Sequence, residues 1–193
     1  MGKIFEAIDD PMREWIQRQT VFFVATSPLG ATGHINCSPK GGDTLRVIGP
    51  HELAYVDGAG SGIETVAHLR ENARILIMLC AFDGPPKIMR FHGVGTVLTP
   101  KHKDFQTRLA HFPTFPVVRS IIHVAVTRIS DSCGYGVPLM DFREAREDSA
   151  QYLANISDSG LKSYLARNNQ LSVDGLAGMT TDELDATVIR RGS

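Results

Sequence analysis

The chain has 193 residues, which suits one domain, or one domain with a helical tail. Hydrophobic residues make up 42% and charged residues 21%, as in ordinary globular proteins, and this composition excludes disordered, collagen-like and membrane-embedded chains. The 20 basic and 21 acidic side chains give a net charge of -1, so no overall field would attract nucleic acid or an anionic membrane. We therefore expect neither as a partner, and any anion must be bound locally.

The cysteines and histidines argue against disulfide and metal sites. Cys37, Cys80 and Cys133 are odd in number and far apart, which fits neither a disulfide framework nor a paired zinc site. The 7 histidines lack the H-x-x-x-H and H-E-x-x-H spacings, so we expect no metal. The start of the chain shows no signal-peptide pattern, and the longest apolar stretch, 75–82, is shorter than the roughly 18 residues of a membrane span. These features predict a cytoplasmic protein.

The first half of the chain predicts two helices and four strands. Asp10-Pro11 followed by MREWIQRQ is typical of a helix with proline in its first turn. A second helix is predicted over 61–71, where Ser61 and Glu64 have the S-x-x-E spacing of a capping box. Between these helices, turn residues bound four short β-rich runs, at 20–26, 33–37, 44–48 and 53–57. Strands this close together predict hairpins.

The second half predicts longer strands and then helices. The strands are 74–82 and 87–98, joined by a turn, and 117–129 after a short helix at 101–109. The pattern becomes helical beyond Phe142, and Thr180 with Glu183 predicts a last capped turn. Strand runs with inserted helices favour a mainly β fold with α, an antiparallel barrel, over a doubly wound sheet. We divide the chain into a barrel domain, 1–141, and a C-terminal helical extension, 142–193, packed on the same domain.

A glycine-rich turn stands between the fourth strand and the second helix. Its sequence fails the dinucleotide pattern G-x-G-x-x-G, because Ile63 occupies the position of the third glycine. Free amides at a helix start beside flexible glycines can nevertheless hold a phosphate. A plain helix cap at Ser61 is the alternative interpretation.

Three further motifs contain polar groups, and each motif can be interpreted either as part of a binding site or as an ordinary structural element. Ser38 and Lys40 precede two glycines, and this segment is either an anion site or a solvated hairpin turn. Strand alternation places Arg90 on the face opposite Met89, where it either meets solvent or supports a bound anion or a carboxylate. The Cys-Gly-Tyr-Gly turn that begins at Cys133 is either a site element or a rigid turn with an inert thiol.

Five segments of the chain are informative together: INCSPKGGDTLRV, LAYVDGAGSGIETVAHLRENARILIMLCAF, PPKIMRFHGVGTV, SCGYGVP and NNQLSVDGLAGM. They resemble the pyridoxamine 5′-phosphate oxidase-like family of FMN-binding split-barrel proteins. Their order and spacing match over most of the chain, and SPKGGD, SGxET and CGYGVP resemble one subgroup. The resemblance implies a split β-barrel with flanking helices, a homodimer with FMN at its interface, and a small-molecule substrate.

The resemblance also implies eight cofactor-binding residues: Ser38, Lys40, Asp57, Ser61, Thr65, Arg90, Cys133 and Gly134. The serine and lysine of the SPKGGD motif, with the hydroxyl residues at the helix start, would hold the phosphate. Asp57 would lie beside the flavin ring, Arg90 would contact the ring edge or the ribityl chain, and the Cys-Gly pair would come from the partner subunit. The oxidases proper carry Arg-Lys at the helix start, where this chain has Glu64-Thr65, so the identity of the flavin stays open.

These observations favour an FMN-dependent oxidoreductase whose substrate and catalytic residues the sequence does not identify. The alternatives are a non-catalytic flavin-binding or redox-sensing module, and the same fold with deazaflavin or haem. We do not expect an efficient pyridoxamine 5′-phosphate oxidase. The C-terminal strand of those enzymes, which bears arginine and histidine, is replaced here, and only Arg190 and Arg191 stand beside the final Gly-Ser.

Overall fold

A computed structural model describes residues 2–146 and 148–189. Within these residues the strands are β1 (Ile4–Phe5), β2 (Val21–Thr26), β3 (Asn36–Gly41), β4 (Leu45–Gly49), β5 (Glu52–Asp57), β6 (Arg74–Cys80), β7 (Ile88–Leu98), β8 (Val117–Val118), β9 (Ser120–Ser132) and β10 (Val188–Ile189). The helices are α1 (Asp10–Gln17), α2 (Glu64–Asn72), α3 (Phe105–Leu109), α4 (Asp148–Asn155), α5 (Asp158–Asn169) and α6 (Thr181–Asp185).

The main sheet is antiparallel and curls back on itself. Its strand order is β3-β2-β6-β7-β9-β5-β4, with β1 added beside β9, while β8 and β10 form a separate ribbon. Lys40 on the edge strand β3 lies 3.4 Å from Asp57 on β5, next to the opposite edge. An open flat sheet would hold these strands far apart, so the two edges must approach each other. The predicted antiparallel, mainly β architecture is therefore confirmed.

The strands form because their side chains alternate between the core and the outer face. On β7, Met89 and Phe91 are fully buried, whereas Arg90 lies half-buried on the other face, as the alternation predicted. The core also contains Tyr55 and Ile77, both fully buried. Burial of each such side chain contributes on the order of 1.5–3 kcal/mol.

The predicted starts of the first and last helices are confirmed, whereas the short helix predicted at 101–109 begins at Phe105. Asp9 caps α1 by accepting a hydrogen bond from the amide of Met12, at 2.9 Å, and α1 buries Met12 and Ile16. Thr180 and Glu183 form a reciprocal capping box at the start of α6. Both caps satisfy amides that the first helical turn leaves without partners.

The predicted capping box at Ser61 is wrong. The helix α2 begins at Glu64, its N-cap position is Ile63, and no side chain caps it. Ile63 is 1% exposed, so its burial fixes where the helix begins, and the glycine-rich residues before it stay outside the helix. Glu64 therefore occupies the first helical position, and its carboxylate accepts a hydrogen bond from the Val173 amide, at 3.3 Å.

Several boundaries differ from the sequence prediction. The strand predicted at 33–37 is β3, which begins at Asn36 and continues to Gly41, so Ser38 and Lys40 lie inside an edge strand. Pro39 is tolerated there because an edge strand has unpaired amides. The predicted strand 117–129 is divided into β8 and β9 at Arg119. The side chain of Arg119 donates a hydrogen bond to Asp57. The pair β1–β9 was not predicted.

The helix α5 packs on the barrel. Its Leu161 and Leu165 are at most 1% exposed and belong to the same core cluster as Tyr55 and Phe91. The division at 141/142 into two units stays a prediction. In the described residues, no helix is both long and apolar enough to cross a membrane.

Candidate functional site

A polar cavity of about 350 Å³ opens where β3, the end of β5 and the start of α2 meet. Its lining residues are Ser38, Lys40, Gly58, Ala59, Gly60, Ser61, Gly62, Glu64, Thr65 and Arg119. The curled sheet thus brings together the four residues predicted to hold a phosphate, although they lie on two separate segments of the sequence. Among residues 2–146 and 148–189, no group of three His, Cys, Asp or Glu side chains is placed to hold a metal ion.

A buried carboxylate stands behind this cavity. Asp57 is 2% exposed and Arg119 is 5% exposed. The Arg119 Nε donates to Asp57 Oδ2 at 2.7 Å, the Ser120 hydroxyl donates to the same oxygen at 3.2 Å, and the Lys40 ammonium lies 3.4 Å from Oδ1. Burial by itself would raise the pKa of Asp57, but Arg119 and then Lys40 outweigh it, so the pKa is lowered. Asp57 is therefore an ionised counter-ion that holds both cations in place.

Arg119 also connects the cavity to the C-terminal region. Its Nη1 donates to the carbonyl oxygen of Gly62 at 2.9 Å and to Asn169 Oδ1 at 2.8 Å. Asn169 is fully buried at the end of α5, and its Nδ2 donates to the carbonyl oxygen of Gly60 at 3.0 Å. Two carbonyls of the glycine segment are thus fixed by one buried Arg-Asn pair.

The sequence analysis missed both members of this pair. A signal for Arg119 was present, because a charged side chain interrupts the apolar run VVRSII and such a charge is costly to bury without a partner. Asn169 lies in the segment NNQLSVDGLAGM of the family resemblance, but nothing in that segment indicated a role for it at the site.

A second hydrogen-bond network supports the other side of the cavity. The Asn36 Nδ2 donates to Thr65 Oγ1 at 3.0 Å and to Thr26 Oγ1 at 3.1 Å, while the Ser38 hydroxyl donates to Asn36 Oδ1 at 2.8 Å. The Thr26 hydroxyl lies 2.9 Å from Nδ1 of His68, a fully buried side chain whose pKa is lowered by burial. The bond from Asn36 therefore fixes the Thr65 hydroxyl oxygen at the wall of the cavity.

The remaining predicted residues do not line this cavity. Arg90 pairs with Ser130 across the strands, and its guanidinium donates to the Ser132 hydroxyl at 2.8 Å. Gly134 has a φ of 68°, and a side chain there would place a Cβ 2.7 Å from the backbone nitrogen of Lys87. Cys133 is exposed. These residues lie at the opposite end of β9 from Arg119, and their contact with a cofactor stays a prediction, as does the contribution of Cys133 and Gly134 from a partner subunit.

One comparison decides the family. The chain is similar to the pyridoxamine 5′-phosphate oxidase family protein ustO of Aspergillus flavus, with 35% identity over 199 residues, which cover 93% of this chain and 78% of the fungal protein. This chain belongs to the pyridoxamine 5′-phosphate oxidase family. No family model matches it.

Solved structures confirm the fold expected of this family. A histidine variant of HupZ from Group A Streptococcus has a TM-score of 0.50 and 20% identity, covering 65% of this chain and 99% of its own. A Lactobacillus delbrueckii protein named after pyridoxamine 5′-phosphate oxidase has a TM-score of 0.50 and 14% identity, covering 66% of this chain and 98% of its own. At these identities the likeness shows the fold alone. The predicted split β-barrel is thereby confirmed.

Proposed function

We propose that this protein binds FMN, with the flavin phosphate in the cavity beside the glycine segment 58–62, and acts as an oxidoreductase on a small molecule. The observation that carries the proposal is the convergence of Lys40, Ser61 and Thr65 on one polar cavity in a member of this family. Bound FMN would supply hydride-transfer chemistry, and the chain would bind and orient it. A location in the cytoplasm stays a prediction.

The donors at the cavity suit an anionic group. The Lys40 ammonium has three N–H donors and pairs with Asp57 at 3.4 Å, so donors remain for a ligand. The Ser61 hydroxyl is exposed at the rim. In the described part of the chain, the amides of 58–62 donate to no backbone carbonyl, and they stand just before a helix start, where the helix dipole favours anions. Glu64 also lines the cavity, and its negative charge opposes the binding of an anion there. Its carboxylate accepts a hydrogen bond from the Val173 amide.

The specific role of Asp57 in this proposal is to position cations. Its carboxylate keeps Lys40 at the cavity and Arg119 behind the glycine segment. A direct contact between Asp57 and the flavin ring stays a prediction, as does the contact of Arg90 with the ring edge or the ribityl chain.

A non-catalytic flavin-binding or redox-sensing module is the second candidate. Of the described residues that line the cavity, Glu64 is the one carboxylate and none is a histidine, so the lining offers no acid-base pair. The test is steady-state oxidation of NADH and NADPH by FMN-loaded protein. Turnover well above that of free FMN supports the oxidoreductase, whereas tight FMN binding without turnover supports the module.

We expect a homodimer with a mass twice the chain's 21.1 kDa. The segment after β9 exposes Tyr135, Leu139 and Phe142 by 82%, 77% and 61%, an apolar surface that a partner subunit would cover. Light scattering in the presence of FMN measures the mass. A monomer mass would contradict the dimer, and the double variant Leu139→Asp/Phe142→Asp is expected to shift a true dimer toward monomer.

We also expect poor activity on pyridoxamine 5′-phosphate. Its doubly anionic phosphate needs cations of its own, but Lys40 and Arg119 both contact Asp57, and Arg190 and Arg191 lie outside the described residues. Two missing charge-assisted contacts, each about 1.5–3 kcal/mol, would lower the specificity constant by about a hundredfold or more. A peroxide-coupled assay of FMN-saturated protein tests this. A specificity constant within about tenfold of an authentic oxidase assayed alongside would overturn the expectation.

A further inference from the structure

We infer that Asn169 is a positioning residue of the cofactor site: from the C-terminal helix α5 it orients the glycine segment 58–62 so that the Ser61 backbone amide faces the flavin phosphate. The inference rests on the proposed function. It assigns a specific role to a residue that the segment NNQLSVDGLAGM contains but that the resemblance did not name as a site residue.

Asn169 contacts both the glycine segment and Arg119. Its side chain is fully buried, its Nδ2 donates to the Gly60 carbonyl at 3.0 Å, and its Oδ1 accepts from Arg119 at 2.8 Å. The same guanidinium nitrogen donates to the Gly62 carbonyl at 2.9 Å. Two alternate carbonyls of the segment are therefore drawn toward one buried Asn-Arg pair.

The direction of each fixed carbonyl also determines the direction of the amide in the same peptide. In a trans peptide the C=O and N–H bonds point in opposite directions, and the described chain contains no cis peptide. The Gly60 carbonyl shares its peptide with the Ser61 amide, and the Gly62 carbonyl shares its peptide with the Ile63 amide. The Ser61 amide thus points away from Asn169. It donates to no other backbone group in the described residues, and Ser61 lines the cavity, so this amide stays available to an acceptor there. Ile63 is 1% exposed and does not line the cavity, so its amide is not assigned to the ligand.

The contacts of Asn169 also limit the conformational freedom of the glycine segment. A segment with three glycines has many backbone conformations, and fixing it costs conformational entropy. Asn169 is well suited to hold it, because Leu161 and Leu165 anchor α5 in the barrel core. The anchored Asn169 side chain thus prearranges the Ser61 amide, a donor that would otherwise have to be ordered when the ligand binds.

The test compares FMN with riboflavin, which lacks the phosphate, in wild-type protein and in Asn169→Leu, a variant of similar volume without polar atoms. Asn168→Leu is the matched control, because the neighbouring Asn168 also donates to a carbonyl, that of Tyr164, at 2.7 Å. Flavin fluorescence gives both dissociation constants. We expect Asn169→Leu to raise the dissociation constant of FMN about tenfold and to change the dissociation constant of riboflavin by less than about twofold. The control variant Asn168→Leu should change neither dissociation constant.

A second measurement on the wild type does not depend on the folding of any variant. In amide NMR spectra, the Ser61 signal should shift on addition of FMN and stay in place on addition of riboflavin. Equal weakening of the binding of both flavins by Asn169→Leu, or an FMN-bound spectrum without that shift, would overturn the role of Asn169. Failure of the wild type to bind FMN more tightly than riboflavin would instead overturn the proposed phosphate site, and the inference with it.

Discussion

Replacement of Arg119 by Met should lower the free energy of unfolding by about 3–5 kcal/mol, the usual cost of removing one partner from a buried ion pair. The variant leaves the Asp57 carboxylate buried with the Ser120 hydroxyl and the Lys40 ammonium, at 3.4 Å, as its remaining partners, and it removes the donor to the Gly62 carbonyl. Chemical denaturation at neutral pH measures the loss. Arg128→Met is the matched control, since Arg128 is an exposed arginine on the same strand.

The pH dependence of this loss has a defined sign. The pKa of Asp57 is lowered in the folded protein, so its stabilising contribution is complete above the ordinary carboxyl pKa and disappears as the pH falls through the lowered value. The difference in stability between the wild type and Arg119→Met should therefore narrow in acid. The double variant Asp57→Asn/Arg119→Met should recover part of the loss at neutral pH. A loss no larger than that of Arg128→Met would show that the pair is unimportant.

Replacement of Lys40 by Ala should weaken FMN binding by about 1.5–3 kcal/mol, or roughly ten- to 150-fold in the dissociation constant. The ammonium is the cation that reaches the cavity from β3, and Asp57 keeps Arg119 and Ser120 after its removal, so the fold should persist. Isothermal calorimetry measures the affinity, with Lys103→Ala as the control at an exposed lysine. Binding of FMN by Lys40→Ala within about twofold of the wild type would remove Lys40 from the phosphate site.

Much of the fold could be predicted because the alternation of apolar and polar residues along a strand is visible in the local sequence. The alternation on β7 placed Arg90 on the face opposite Met89, and the structure agrees: Met89 is fully buried and Arg90 lies half-buried on the other face. The local signal at Ser61 was misleading, since the S-x-x-E spacing was correct but the burial of Ile63 placed the helix start three residues later. Tertiary packing decided that boundary.

The site could be predicted only in part, for a similar reason. The residues that line the cavity from β3 and from the turn before α2 were found because each belongs to a recognisable motif. Arg119 and Asn169 were missed because their contacts join segments that lie 50 or more residues apart in sequence. No spacing rule connects them, and only the curled sheet with α5 packed on it brings them to the glycine segment.

The most direct test of the account is a titration of the purified wild-type protein with FMN, followed by calorimetry and by the absorption spectrum of the complex. The account predicts stoichiometric binding at micromolar concentration or tighter, with the spectrum of a protein-bound flavin. Deazaflavin and haem, titrated in parallel, should bind more weakly. No binding of FMN at micromolar concentrations, or preferential binding of deazaflavin or haem, would contradict it.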